Sequence, residues 1–347
     1  MNNLKRALVF VSVLITAIFL LSCSSVSYDS IYPTLKDGQY DSEFPYRSTS
    51  AELQKISETI QRIIASAFYR VYIFDENNNY TLEDLRKGKI EKLAVKEILI
   101  DNSSSGTALV IFSGNGNVAL LTCSHTINFP DTLIVYKSDE KGNATKYIES
   151  VSLKERQVIY VAGFPEGSTV DILVDDPKSD LAILGRKYGI QSGIRFPYFN
   201  FKLGNAKDLE WGTFVYLIGY PINNKMITKG IVSSPNKDEI GSFLVDAVIN
   251  PGFSGGIVLA IRDGVPNFEL VGIVHSVPEE KEDMLYPDIT DKAAKYNPVI
   301  PYKGDIYVKK HSSLRYGITR IVPVEAFKKL LEDNKEYLSK EGFPIFQ

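Results

Sequence analysis

At 347 residues with 44% apolar side chains, the chain is long enough to bury a core as one large domain or two modest ones. A formal net charge of −3 built from mixed signs excludes the basic stripe that nucleic acid requires, and two cysteines exclude a disulfide-stapled scaffold. Tyr occurs 20 times and Trp once, which names no partner.

The N-terminus carries Lys5 and Arg6 followed by the uncharged apolar run Ala7 to Leu21. That run is shorter than the roughly 20 residues that span a bilayer as a helix, so residues 1–22 read as a cleaved signal peptide. Leu20-Leu21-Ser22-Cys23 resembles a bacterial lipobox, and the resemblance implies a Cys23 that carries lipid and becomes the new N-terminus. Each buried methylene of such a lipid contributes about 0.8 kcal/mol to membrane attachment. The competing reading is an ordinary secretory signal in which Cys23 is incidental; under both, the mature chain is exported. Ser24, in place of an Asp, points to the outer membrane of a cell envelope.

Residues 23–50 are rich in Ser, Tyr, Asp and Pro without periodicity, as in a flexible tether. Leu53, Ile56, Ile60, Ile63 and Ile64 then fall at helical spacing behind Ser50, and strand-like alternation takes over at Phe68. After a polar stretch from Asp75 to about Glu91, short strand-like runs recur, among them "GTALVIF", "VALLT", "QVIYVAGF", "LAIL", "TFVYLIG", "GIVLAIRDG" and "FELVGIVHS". Roughly a dozen such runs with little helix among them predict an all-β protein of antiparallel barrels or sandwiches. A charged loop is expected after Glu279, then a closing helix marked by Val324, Phe327, Leu330 and Leu331. The expected division is a main domain over 51–335 and a C-terminal tail over 336–347, with no added peptide-binding domain.

Chemistry concentrates at "NPGFSGG", Asn250 to Gly256. Gly252-Phe253-Ser254-Gly255-Gly256 fits the G-x-S-x-G elbow of α/β-hydrolases, but that motif needs a helix after the Ser, and "GIVLAIRDG" reads as a strand. Ser254 is then either an activated nucleophile or part of a Gly-rich hairpin turn. Of three histidines, His125 closes the buried run "VALLTCSH", a rigid place for a base that must stay within ~3 Å of its nucleophile. The plainer reading of His125 is a satisfied core histidine. His275 suits a cleft wall, and His311, beside Lys309 and Lys310, a solvated surface. Asp180 opens the apolar run "LAIL" and is placed to orient an imidazole; Asp175 and Asp176 lead into a Pro and look like turn residues. Cys123 reads as a small buried hydrophobe. No metal-ligand spacing and no phosphate loop appears, so neither metal nor cofactor is expected.

"LTCSHTI", "SDLAIL" and "NPGFSGG", in the order His, Asp, Ser, resemble the active-site blocks of the trypsin-like serine peptidases, in particular the bacterial HtrA/Deg branch. "SSGTALVI", "GTFVYLIGYP", "KGIVSS" and "LVGIVHS" fall in sequence around them, so the likeness runs from about Ala67 to Leu331. It implies a double six-stranded β-barrel with an N-terminal and a C-terminal helix and the site between the barrels. His125 would be the base, Asp180 its orienting acid and Ser254 the nucleophile, with an oxyanion hole from the N–H groups of Gly252 and Ser254. Val248, six residues before the serine, would floor the primary pocket and favour small or aliphatic residues. Val274, His275 and Ser276 would pair with a polypeptide substrate as an added strand. Phe253 stands where the family has Asn or Asp, and Ile257 where it has Pro. A peptidase tethered to the membrane by its lipid is thus set against a silent lipoprotein that grips a peptide or partner; an oligomer is open to both.

Overall fold

The computed structural model describes residues 36–139, 143–165, 167–276, 279–287, 299, 306–314 and 317–345; the signal peptide, Cys23 and the first part of the expected tether lie outside the described residues. Helix α1 (Ser50–Glu58) buries Leu53 and Ile56 and ends before Thr59, where β1 (Ile60–Ile73) begins. Ile60, Ile63 and Ile64, read as helical from their spacing, are therefore strand. β-Branched side chains suit a pleated surface, and β1 pairs throughout with β2 (Lys96–Gly114), from Ile60 opposite Leu109 to Ile73 opposite Lys96. The polar stretch between them holds α2 (Leu82–Lys87), closed by a Thr81–Asp84 capping box, and α3 (Ile90–Leu93).

With β3 (Asn117–Thr122), β4 (Thr132–Ser138), β5 (Ala144–Val161), β6 (Asp171–Asp176) and β7 (Leu181–Lys187), these strands form one antiparallel sheet in the order β4-β5-β1-β2-β3-β7-β6. It curls into a half-barrel, with a single bridge from Tyr160 to Thr169 near the opening. The second sheet holds β8 (Lys202–Leu203), β9 (Phe214–Gly219), β10 (Met226–Ser234), β11 (Phe243–Asp246), β12 (Ile257–Ile261) and β13 (Phe268–Ser276). β14 (Glu279–Pro287) and β15 (Ile306–Leu314) pair with each other as a separate hairpin, and β16 (Thr319–Pro323) returns to the sheet. The order β12-β9-β10-β11-β16-β13, with β12 also paired to β13, closes a six-stranded barrel to which β8 adds in parallel. The fold is thus all-β, a closed barrel beside a half-open one, consistent with the expected double barrel. The β14–β15 hairpin replaces the expected loop; its polar strands lack the apolar alternation by which a strand is recognised.

Each barrel has its own interior. Ile63, Ala65, Val110, Leu120 and Leu184 fill the first, and Val215, Leu217, Phe243, Phe253 and Val271 fill the second. A third cluster joins Leu109, Leu121 and Leu181 of the first barrel to Ile218, Ile257 and Ile273 of the second, and recruits Ile56 of α1 and Phe327 of α4 (Val324–Lys340). The expected tail is part of this seam. α4 runs past residue 336, and beyond it Phe343 is buried while Asn117 Nδ2 donates to Gly342 O at 2.9 Å. At the other end, the described part of the expected tether is docked: Asp41 N donates to Ile261 O and Phe214 N to Asp41 O, both at 2.9 Å.

Candidate active site

β3 and β7 are adjacent, and Thr122 at the end of one faces Ala182 at the start of the other. The segment leaving β3 and the segment entering β7 must therefore meet. Cys123 and the 3-10 turn Ser124–Thr126 come directly after β3, and Asp180 directly before β7. Three bonds fasten the turn to the aspartate: Ser124 N donates to Asp180 O at 3.1 Å, His125 N donates to Oδ1 at 2.8 Å, and His125 Nδ1 lies 2.7 Å from Oδ2. Asp180 adopts φ +57°, a left-handed conformation that Asp tolerates better than most residues, at the point where its carboxylate meets the His turn. Asp176 accepts from Ser179 Oγ at 2.7 Å and caps the turn, and Asp175 lies in β6. Burial pushes the Asp180 carboxyl up, but the side-chain and backbone bonds from His125 and the nearby imidazoles outweigh it and hold the group below the ordinary carboxylate value.

A second imidazole reaches the same carboxylate. His275 Nε2 lies 3.3 Å from Asp180 Oδ2, and the His125 and His275 rings are 5.4 Å apart and tilted by 42°. Burial drives His275 below its ordinary value against the pull of Asp180, while His125 and Arg320 act in the same sense as burial. Cys123 is fully buried; burial first, then the charge and hydrogen bond of Asp180, push its thiol well above the ordinary value, and Sγ donates to Val274 O at 3.3 Å. The Cys123, His125 and Asp180 donor atoms lie within 4.8 Å of one another, but a metal would need the thiolate that this environment disfavours.

The serine loop comes from the other barrel. Phe253 N donates to Asn250 O at 3.2 Å, and Gly252 has φ +97°, which with Pro251 ahead of it is the pattern of a type II turn. Gly255, at φ +83°, is required for a different reason: a Cβ there would stand 2.0 Å from Thr107 O. Thr107, in β2, grips this loop. Its N–H donates to Ser254 O at 2.8 Å, its hydroxyl donates to Gly252 O at 2.8 Å, and Tyr220 N donates to that hydroxyl at 2.9 Å. Gly255 N donates to Val274 O at 2.9 Å and Val274 N to Gly256 O at 2.7 Å, so the residue beside His275 also holds the loop. Among the described residues, the N–H groups of Gly252 and Ser254 donate to no acceptor, and no hydrogen bond joins Ser254 Oγ to His125.

Phe253 does not lie across the loop. It is 2% exposed and points into the second barrel, where it packs on the Cα positions of Gly219 and Gly256; a Cβ on either would come within 2.8 Å of the ring. Val248 is 60% exposed between buried Ala247 and Ile249. Val274 is buried in β13, and Ser276 ends that strand opposite Arg320. His311 lies in the β14–β15 hairpin, opposite Glu282, apart from the strands that carry His125 and Ser254. Sequence reasoning missed the grip of Thr107 and the reach of His275 to Asp180; the only signal for either was its place in the blocks "SSGTALVI" and "LVGIVHS".

Residues 106–273, which hold the His125–Asp180 pair and the glycine-rich Ser254 loop, match the trypsin-like peptidase domain. The match and the two sheets give residues 106–273 a trypsin-like fold. It is 26% identical over 186 residues to a protein described as serine protease HtrA-like from Staphylococcus haemolyticus, covering 44% of this chain and 28% of that one. Two proteins described as probable periplasmic serine endoprotease DegP-like are similar: one from Pseudomonas fulva at 36% over 160 residues (44% of this chain, 26% of that one), and one from Pseudomonas putida at 30% over 176 residues (49% and 28%). The chain thus spans between a quarter and a third of the length of these curated relatives. Among the described residues, no helix is long and apolar enough to cross a membrane.

Proposed function

We propose that the protein is an exported serine endopeptidase that hydrolyses peptide bonds of polypeptides with Ser254, His125 and Asp180. The observation that carries this reading is the pairing of His125 Nδ1 with Asp180 Oδ2 at 2.7 Å beside a loop whose Gly252 and Ser254 N–H groups lack partners among the described residues. Asp180 fixes the imidazole tautomer with Nε2 free to act as base. His125 takes the proton of Ser254 Oγ as that oxygen attacks the peptide carbonyl. The new oxyanion accepts from the N–H groups of Gly252 and Ser254, and His125 then passes its proton to the leaving amine. Water, deprotonated by the same imidazole, releases the acyl group and regenerates the serine. The missing Ser254–His125 hydrogen bond suits a site that tightens when substrate docks. The inward seat of Phe253 supports an open oxyanion loop, because the bulkiest side chain there is taken up by the barrel interior.

Extended substrate would pair with Val274, His275 and Ser276 as an added strand. The preference for small or aliphatic residues is part of this proposal and rests on the uncharged side chain of Val248, six residues before the serine. Attachment through lipid on Cys23 completes the proposal, and Cys23→Ala should move the protein from the membrane to the soluble envelope fraction. The deciding experiment is labelling with a serine-directed fluorophosphonate. The wild type is expected to be labelled and Ser254→Ala is not; no labelling of folded wild type, with or without peptide, overturns the reading.

A further inference from the structure

We propose that the end of the closed barrel carrying Trp211 and Phe44 rests on a lipid bilayer through their exposed apolar side chains and holds the Ser254 loop away from it. The proposal rests on the attachment of Cys23 to lipid and needs nothing of the peptidase reading.

Strand direction separates two ends of this barrel. β9, β10 and β12 are antiparallel neighbours, with Phe214 opposite Ile231 and Val215 opposite Ala260 at one end, and Ile218 opposite Ile257 at the other. Ser254 lies just before β12 and so belongs to the second end. At the first end, the chain arriving from Cys23 is fixed. Gly38 N donates to Asp263 Oδ1 at 2.7 Å, and Asp41 joins the ends of β9 and β12, accepting from Phe214 N and donating to Ile261 O. Lys36 lies about 13 residues after Cys23, a length that reaches at most about 45 Å. A lipid at that distance keeps this end beside the bilayer, where a contact too weak to form from free solution becomes intramolecular.

The same end exposes large apolar side chains on a fixed backbone. Trp211 is 73% exposed, and Gly212 after it donates to Val232 O at 2.9 Å, beside exposed Ile231. Phe44 is 65% exposed; its ring packs on Phe214 with centroids 4.9 Å apart, and Lys229 Nζ stands 4.4 Å from its centroid. Exposed Ile240 sits in the β10–β11 turn, which Lys237 N closes on Ser242 O at 2.7 Å and Asn236 Nδ2 ties to Lys207 O at 3.2 Å, in the loop leading to Trp211. Single exposed hydrophobic residues are ordinary, but these gather where the tether docks, and Phe44 is part of the tether itself. The boundary between headgroups and acyl chains suits such rings, because it covers the apolar face and leaves the indole N–H hydrated. Lys207 and Lys237 are balanced by Glu210 and Glu239, so the contact is apolar and does not depend on anionic headgroups. β12 is five residues long, which stands the serine loop about 15 Å further from the bilayer, where it meets polypeptides from solution.

Trp211 is the one tryptophan of the chain, so its fluorescence reads the contact directly. The full-length protein is reconstituted on phosphatidylcholine vesicles with or without brominated acyl chains, and lipid on Cys23 is read by mass spectrometry of the N-terminal peptide. Wild-type emission is expected to be quenched about twofold or more by the brominated chains. Ile240→Glu and Phe44→Ser should each lose about half of that quenching or more, with lipid on Cys23 and fluorophosphonate labelling unchanged. A lipid-bearing wild type whose Trp211 is not quenched overturns the proposal, and so does quenching equal to wild type in both variants. A blue shift that grows with protein density and is insensitive to bromine marks pairing with a second copy and overturns it equally. If Cys23 carries no lipid, the attachment reading alone fails; brominated vesicles added in excess to the same protein then decide the surface, with quenching upholding it and no quenching overturning it.

Discussion

The two barrels contribute to the site in different ways. His125 and Asp180 both belong to the half-open barrel and leave it at neighbouring ends of β3 and β7, so their relation is settled within one sheet. Ser254 belongs to the closed barrel and reaches the pair only through the seam, held by Thr107 of β2 and Val274 of β13. The His125–Asp180 pair is local, and the approach of Ser254 to it is a packing problem between two barrels. Changes inside the first sheet should thus damage chemistry directly, whereas changes at the seam should alter loop order, stability and catalysis together.

The largest expected effect breaks the local pair. Asp180→Asn should lower kcat by about 10⁴-fold with little change in KM, because the amide favours the wrong imidazole tautomer. Steady-state kinetics on a peptide would check this. On the nucleophile's side, Phe253→Ala removes a side chain filling the closed barrel and should destabilise the protein by about 3–5 kcal/mol in urea unfolding, with weaker fluorophosphonate labelling. Thr107→Val keeps the shape but removes the hydroxyl between Tyr220 N and Gly252 O, and should cost about 1–3 kcal/mol of stability and reduce the labelling rate. If instead Thr107→Val leaves the loop unaffected, the seam is not held through this hydroxyl.

A smaller effect lies on the closed barrel away from the site. Burial raises the Asp41 carboxyl to about 6, against the hydrogen bond from Gly264 N. A raised folded value means that the native state binds the proton more tightly than the unfolded chain. Stability is therefore full below the ordinary carboxylate value and falls as pH rises through about 6. Asp41→Asn should raise stability at pH 8 by an amount on the order of 1–3 kcal/mol, read as a higher thermal midpoint, and change little at pH 4. His275 runs the other way. Its lowered folded value means that stability rises as pH climbs toward the ordinary imidazole value, and His275→Gln should flatten that rise.

Most strands and the C-terminal helix were legible because alternation and helical period mark them directly. The start of β1 was not, since Ile60, Ile63 and Ile64 satisfy both periods and only the pairing with β2 decides. "GTALVIF" could be seen as a strand but not as the end of the long strand β2, whose first half is exposed. Of the site, the residue types and order were readable in three short blocks. The left-handed turn at Asp180, the outward position of Val248 and the reach of His275 depend on how the chain bends after each strand, which no periodicity records.

Cys123 gives the site a chemical durability of its own. A thiol kept protonated by burial and by the charge of Asp180 is a poor nucleophile toward peroxides and disulfides, both of which react with thiolate. Oxidants should therefore leave this thiol, two residues before His125, unmodified, and alkylating reagents aimed at cysteine should spare Cys123 in the folded protein.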